Sequence, residues 1–415
     1  MNLKNSVVIN LAGSLVPVFL ALVCIPILIH KLGMSGFGIL SLIWILIGYL
    51  SIFDMGVGRA LTFEVSNKLK GEASFKGLSR VICPGISLAT IAGIVGVFLI
   101  LPIIYFMGSD LEAKFNIDNE SIDALYLCVI AIVPTAITSA IRGALEGGSR
   151  FIESNLLRTA ISSGMFIVPL VFVELGNHEL LDITIGLIIL RIISMIVSIY
   201  IIRDNIKLKH FIFRRSDFRM LHYGSWVTIS SILSPLMVNG DRFIVSSIVG
   251  PALLNLYTIP QEMIQRFLIV PGAFTTSIFP KIPHLKSTKN FYKFSFFYLV
   301  VFSFISVLCI GIIGPYFFEY WISPIFSINS KEILWILCFG LFFNSLAQLP
   351  MTYLMAMGKP KLVATAHVIE LIIYILAIYI LVKIFGVKGA AFAWSFRVSL
   401  DFFILNYFVR KFALC

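Results

Sequence analysis

Apolar runs of roughly 20 residues, almost free of charge, recur along this chain from end to end, and each is long enough to cross a ~30 Å hydrocarbon core. Nothing in that core can satisfy an open backbone, so each run must close its own N–H and C=O groups in a helix. One fold class remains: an all-α integral membrane protein. Twelve spans can be marked, at 6–29, 37–58, 81–107, 123–140, 159–175, 182–202, 224–248, 254–280, 294–315, 331–356, 363–384 and 389–409. Only 13% of residues are charged. That is too few to clothe a soluble surface, which takes ~25%. The first run, Ser6 to Ile29, is too long for the apolar core of a signal peptide and reads as a permanent span. Five of the cysteines, Cys24, Cys83, Cys128, Cys309 and Cys338, fall inside such runs, Cys415 ends the chain, and none forms a C-x-x-C pair. They read as small buried hydrophobes, with no disulfide framework and no metal site.

Alternate loops differ in charge. One set holds Lys68, Lys70, Lys76 and Arg80, then Arg150 and Arg158, then Arg203, Lys207, Lys209, Arg214, Arg215 and Arg219. It continues through Lys281, Lys286, Lys289 and Lys293, then Lys359 and Lys361, to Arg410 and Lys411. The opposite set is sparse in lysine and carries the acidic segment Asp110, Glu112, Asp118, Glu120 and Asp123. The basic set is cytoplasmic by the positive-inside rule, which puts both termini in the cytoplasm and demands an even number of spans. The same distribution disposes of a nucleic-acid partner despite the net charge of +11, because the basic residues are shared among short loops at membrane ends.

The chain also repeats. The turn at His30–Gly38 between spans one and two is matched by Ser246–Leu253 between spans seven and eight. Leu145–Arg150, between spans four and five, is matched by Met355–Lys361 between spans ten and eleven. Two parallel six-helix bundles follow, 1–202 and 220–415, joined by a basic cytoplasmic connector at 203–219 and enclosing a central cavity, an architecture that recurs among transporters.

Ionisable residues inside spans are costly and are functional candidates by default. Arg191 lies mid-way along span six without an acid of its own. Asp241 and Arg242 are adjacent in span seven, point about 100° apart and need partners from other helices. Glu262 and Arg266 in span eight stand four apart, as do Arg397 and Asp401 in span twelve, so each can be a self-neutralising pair or part of a site. His367 and Glu370 share a face of span eleven, as a proton-responsive pair or as a plain buried hydrogen bond. Arg59 and Arg142, near cytoplasmic ends, either snorkel or line the cavity. Asp54, Glu146 and Glu153 sit near helix ends, where carboxylates are cheap. Enzyme signatures are missing: there is no phosphate loop, no G-x-S-x-G elbow and no H-E-x-x-H. A membrane glycan polymerase or ligase needs a larger outer loop than Gly108–Ile122.

Motifs carry a resemblance. Lys4-Asn5 opens the first span, Lys31-Leu32-Gly33-Met34-Ser35-Gly36-Phe37-Gly38 leads into the second, and Phe53-Asp54-Met55-Gly56-Val57-Gly58-Arg59-Ala60 closes it. With Asp241-Arg242, Gly250, Tyr257 and the Gly358-Lys359-Pro360 turn, this resembles the O-antigen (Wzx-type) polysaccharide flippases. They sit in the superfamily of multidrug exporters and the lipid II flippase. The resemblance implies alternating access and a substrate of undecaprenyl-pyrophosphate-linked oligosaccharide moved from the cytoplasmic to the periplasmic leaflet of the bacterial inner membrane. It implies no cofactor; membrane lipid, a polysaccharide polymerase and a chain-length regulator are the expected partners. Arg191, Arg242, Arg59, Arg142, Arg266 and Arg397 are then candidates for the diphosphate, since a guanidinium binds oxyanions in fork geometry and stays charged. Asp241, Glu262, Glu370 and Asp401 are candidates for ion coupling. A drug or cation exporter of the same superfamily is the alternative, but such proteins favour acidic cavities and arginines predominate here.

Overall fold

The computed structural model describes residues 3–49, 56–69, 75–115, 119–211, 218–285 and 287–412. Asp54, Lys70, Asp118, Arg214, Arg215, Lys286 and Cys415, and the Phe53–Met55 part of the second-span motif, lie outside the described residues. The described residues are helical throughout, without a strand. They form two compact units, Met1–Ser225 and Trp226–Cys415.

The first unit contains α1 (Leu3–Tyr49), α2 (Val57–Leu69), α3 (Ser79–Phe115) and α4 (Asn119–Cys128), the last running through a 3-10 turn into α5 (Ile132–Gly147). It continues with α6 (Phe151–Glu174) and α7 (Leu180–Ile201). The second unit contains α8 (Phe218–Val249), whose first turns belong to the first unit, α9 (Pro251–Phe267), α10 (Ile269–Ile278), α11 (Thr288–Trp321), α12 (Pro324–Ala356), α13 (Pro360–Phe385) and α14 (Val387–Phe412). Among the described residues, nine helical segments are long and apolar enough to cross a membrane. The second limb of α1 with α2, the α9–α10 pair and α14 fall on the three remaining spans marked in the sequence. Their charges lower their hydropathy. Arg59 and Glu64 lie on α2, Glu262 and Arg266 on α9, and Arg397 and Asp401 on α14.

α1 is two passes joined at Gly33, where φ is +72°, a conformation that costs a residue with a Cβ about 1–2 kcal/mol. Gly250 takes the same left-handed φ, +84°, between α8 and α9. The other matched turn also recurs in both units. Gly148 N donates to Ala144 O and Arg150 N to Leu145 O; Met357 N donates to Tyr353 O and Lys359 N to Leu354 O. One pattern of helix-ending bonds, with Ser149 and Gly358 at positive φ, therefore closes the fourth pass of each half.

Three boundaries differ from the sequence expectation. The described helix from Val57 runs on to Leu69, past the expected span end at 58, so Arg59 lies within helix rather than at its end. α6 starts at Phe151 and carries Arg158 within it, not in a loop. α3 continues to Phe115 and α4 begins at Asn119, so most of the acidic segment is helical. Residues 203–211 are also fastened down. Asn205 Nδ2 donates to Phe75 O, Ser79 Oγ and His210 Nδ1 are 2.8 Å apart, and Ser87 Oγ donates to Phe211 O at 3.5 Å. Cys309 is exposed on α11, unlike the buried Cys24, Cys83, Cys128 and Cys338.

Candidate functional site

The first unit gathers arginines. α2 and α5 approach closely because small residues face each other. A Cβ on Gly143 would lie 2.0 Å from the carbonyl oxygen of Gly58, so only glycine fits there. This contact brings Arg59 on α2 and Arg142 on α5, each next to one of those glycines, to the same level of the bundle. Arg158 lies on α6 and is half-buried. Its Nη2 donates to Asn10 O at 2.9 Å and also to Asn155 Oδ1, while Asn155 Nδ2 donates to Asn10 Oδ1. Arg142, Arg59 and Glu146 are within electrostatic reach of Arg158. Arg142 also acts on Arg191, which is 9% exposed and donates through Nη2 to the thioether of Met165 at 3.6 Å. A thioether is a weak acceptor. A guanidinium left with one inside a membrane has most of its hydrogen-bonding capacity available.

The carboxylates in this unit are placed unequally. Glu153 is taken by Arg150 at 2.8 Å. Lys31 pairs with Glu174 at 3.4 Å. Glu146, read from sequence as a cheap helix-end carboxylate, instead faces the arginines. Its Oε1 is 3.6 Å from Arg142 Nη2 and accepts from Ser154 Oγ at 2.9 Å. Arg59 and Glu64 both act on Tyr223, whose ring stacks on Phe63. Sequence reasoning missed Arg158 and Glu146. The signals available were Asn155 one turn before Arg158, and Glu146 one turn after Arg142.

The second unit buries a different cluster. Asp241, 2% exposed, accepts from Tyr257 OH at 2.7 Å and from Tyr374 OH at 2.8 Å, both on Oδ2. Arg397 lies with its guanidinium 5.3 Å from the Tyr374 ring centroid and donates through Nη1 to Met237 Sδ at 3.7 Å. It does not form the ion pair with Asp401 that their spacing allows. His367 Nδ1 is 2.7 Å from Ser230 Oγ, and its Nε2 is 3.9 Å from Asp401 Oδ1. Ligand atoms of His367, Glu370 and Asp401 lie within 4.8 Å of one another. Buried oxygens here lack hydrogen-bond partners, namely Asp241 Oδ1, Glu370 Oε1 and Asp401 Oδ1, and so do both amide atoms of the fully buried Gln261.

Arg242 and Arg266 are placed outside this cluster. Arg242 Nη2 reaches Glu262 Oε1 at 2.6 Å, and Glu262 Oε2 also meets Arg266 Nη2 at 3.4 Å. All three side chains are partly exposed. The adjacent Asp241 and Arg242 thus find their partners on other helices. Among the sequence candidates, Arg59, Arg142 and Arg191 come together in the first unit. Asp241, Glu370, Arg397 and Asp401 do so in the second.

The profile of the family described as Polysaccharide biosynthesis protein matches residues 3–286. The chain belongs to that family. A Shigella flexneri protein named as a candidate O-antigen transporter is 32% identical over 99% of this chain and 98% of its own length. A Yersinia pseudotuberculosis protein named as a candidate O-antigen export protein is 22% identical over 81% of each chain. Among solved structures, a point mutant of the Vibrio cholerae MATE transporter VcmN superposes with a TM-score of 0.76 at 17% identity, over 99% of this chain and 97% of that one. That last likeness speaks for the fold alone. This member of the polysaccharide-biosynthesis family is therefore a multi-pass membrane protein with a MATE-like fold, related to proteins named for O-antigen transport.

Proposed function

We propose that this protein is a flippase that carries undecaprenyl-pyrophosphate-linked O-antigen repeat units across the bacterial inner membrane, from the cytoplasmic to the periplasmic leaflet, by alternating access. The observation that supports it most is the arginine cluster of the first unit. Arg142, Arg158 and Arg191, with Arg59 beside them, concentrate positive charge inside a membrane, where an isolated guanidinium is expensive. An oxyanion ligand offsets that cost, and forked guanidinium donors fit the diphosphate. The glycan needs a wet path because its unpaired hydroxyls would cost several kcal/mol each in hydrocarbon. No bond is made or broken, and no cofactor is required.

The buried Asp241 and Glu370, with the part-buried Asp401, serve the coupling ion. Glu262, held between Arg242 and Arg266, is left to a structural role. Both termini face the cytoplasm, as the loop charge bias requires. A polysaccharide polymerase and a chain-length regulator act on the delivered product.

The test is complementation of a strain lacking its own O-antigen flippase. Surface glycan is read by gel and protein level by immunoblot in the same cells. Wild type restores the ladder. Arg142→Ala, Arg158→Ala and Arg191→Ala abolish it at normal abundance, and the lysine variants retain part. A normal ladder in the triple alanine variant would overturn the arginine assignment. Failure of wild type to restore any ladder would overturn the substrate.

A further inference from the structure

Glu146 is the residue of the first unit that the arginine site leaves without a role. It lies one turn beyond Arg142 on α5, and its Oε1 is held by Arg142 Nη2 at 3.6 Å and by Ser154 Oγ at 2.9 Å. It also acts on Arg158. The neighbouring Glu153 is occupied by Arg150, and Glu64 acts with Arg59 on Tyr223. Among the described residues, these arginines stand against Glu64 and Glu146, and a diphosphate bridging a prenyl chain and a sugar brings one ionised oxygen on each phosphorus. That attraction also sets a problem. A cluster holding such an anion with every guanidinium it owns would bind tightly and release slowly.

We infer that Glu146 is an internal counter-anion that exchanges with the substrate's diphosphate for Arg142 and Arg158. With the site vacant, Glu146 neutralises part of the cluster and keeps it tolerable in the membrane. As the diphosphate arrives it takes those donors, and Ser154 keeps the displaced carboxylate hydrogen-bonded. As the diphosphate leaves, Glu146 returns, and its competition speeds release. The inference rests on the proposed diphosphate ligand. A residue with only a structural role predicts the opposite sign, because loss of a supporting ion pair weakens binding rather than tightening it.

The experiment measures binding of farnesyl diphosphate to the purified full-length protein by calorimetry at two salt concentrations. Melting temperature is measured alongside, and export is read in the complementation strain. Glu146→Gln keeps the shape and the acceptor for Ser154 while removing the charge. It binds about tenfold tighter or more, ~1.4 kcal/mol, with a steeper loss of affinity in high salt. It exports less O-antigen at normal abundance. Glu146→Asp keeps the charge but draws it back by one methylene, and falls between Gln and wild type. It also decides the matter should the Gln variant not fold. If wild type binds and neither variant binds more tightly, the counter-anion role is overturned while the diphosphate site stands. Tighter binding with undiminished export overturns the exchange step. If wild type itself fails to bind farnesyl diphosphate, the site proposal falls and this inference with it.

Discussion

Removing the phenol oxygens around Asp241 is the sharpest test of the second unit's interior. Tyr257 and Tyr374 both donate to Asp241 Oδ2, and all three residues are at most 3% exposed. A hydrogen bond to a charged group contributes about 1.5–3 kcal/mol. Tyr257→Phe or Tyr374→Phe alone is therefore expected to cost ~2 kcal/mol, because the oxygen keeps one donor. The double variant leaves Oδ2 with none, and Oδ1 has none to begin with. Its cost should exceed the sum of the singles by about 0.5–3 kcal/mol, the range seen for residues sharing one network. For a unit the size of residues 226–415, 1 kcal/mol shifts the melting temperature by roughly 2–4 °C. Each single variant should then melt roughly 4–8 °C lower, and the double variant lower by more than the two shifts together. Thermal unfolding of detergent-purified protein, followed by tryptophan fluorescence or a thiol-reactive dye on buried cysteines, reads this directly. Single shifts below about 1 °C, or a double shift equal to one single shift, would refute the shared-acceptor argument.

Other outcomes follow from the same geometry. Gly143→Ala places a Cβ 2.0 Å from Gly58 O, so α2 and α5 must part; a cost of about 1–3 kcal/mol is expected, with export lost at reduced protein level, and a wild-type melting curve would refute it. Impermeant thiol labelling of single-cysteine variants should mark Ser121→Cys in intact spheroplasts and leave Lys209→Cys unmarked until the cells are opened; the reverse pattern would invert the topology. Asp401→Asn and Glu370→Gln should each reduce export while retaining farnesyl diphosphate binding, because their cluster lies in the other unit from the arginines; loss of binding in either would reassign the acids to the substrate.

The twelve passes were legible because a helix in hydrocarbon satisfies its backbone locally, so a run of apolar residues decides its own conformation. The repeat was legible for a related reason. The turns at Gly33 and Gly250, and at Ser149 and Gly358, need special backbone angles that small or flexible residues mark in the sequence. The Glu262–Arg266 contact was also readable, since residues four apart on a helix meet whatever surrounds them. The same rule failed for Arg397 and Asp401. There the tertiary structure offered Arg397 the Tyr374 ring and gave Asp401 to His367. Periodicity says which residues share a face but not what that face meets. Arg158 joins Arg142 because α1, α5 and α6 pack so that Asn10 and Asn155 steer its side chain inward. Glu146 faces the same arginines because Ser154, across the Gly147–Arg150 turn, holds it there. Sequence thus determined which segments span the membrane and which residues could bear charge within it. Only the packing of helices distant in sequence decided which charges meet, because an ion pair depends on side-chain direction and helix separation, and neither is written in one span alone.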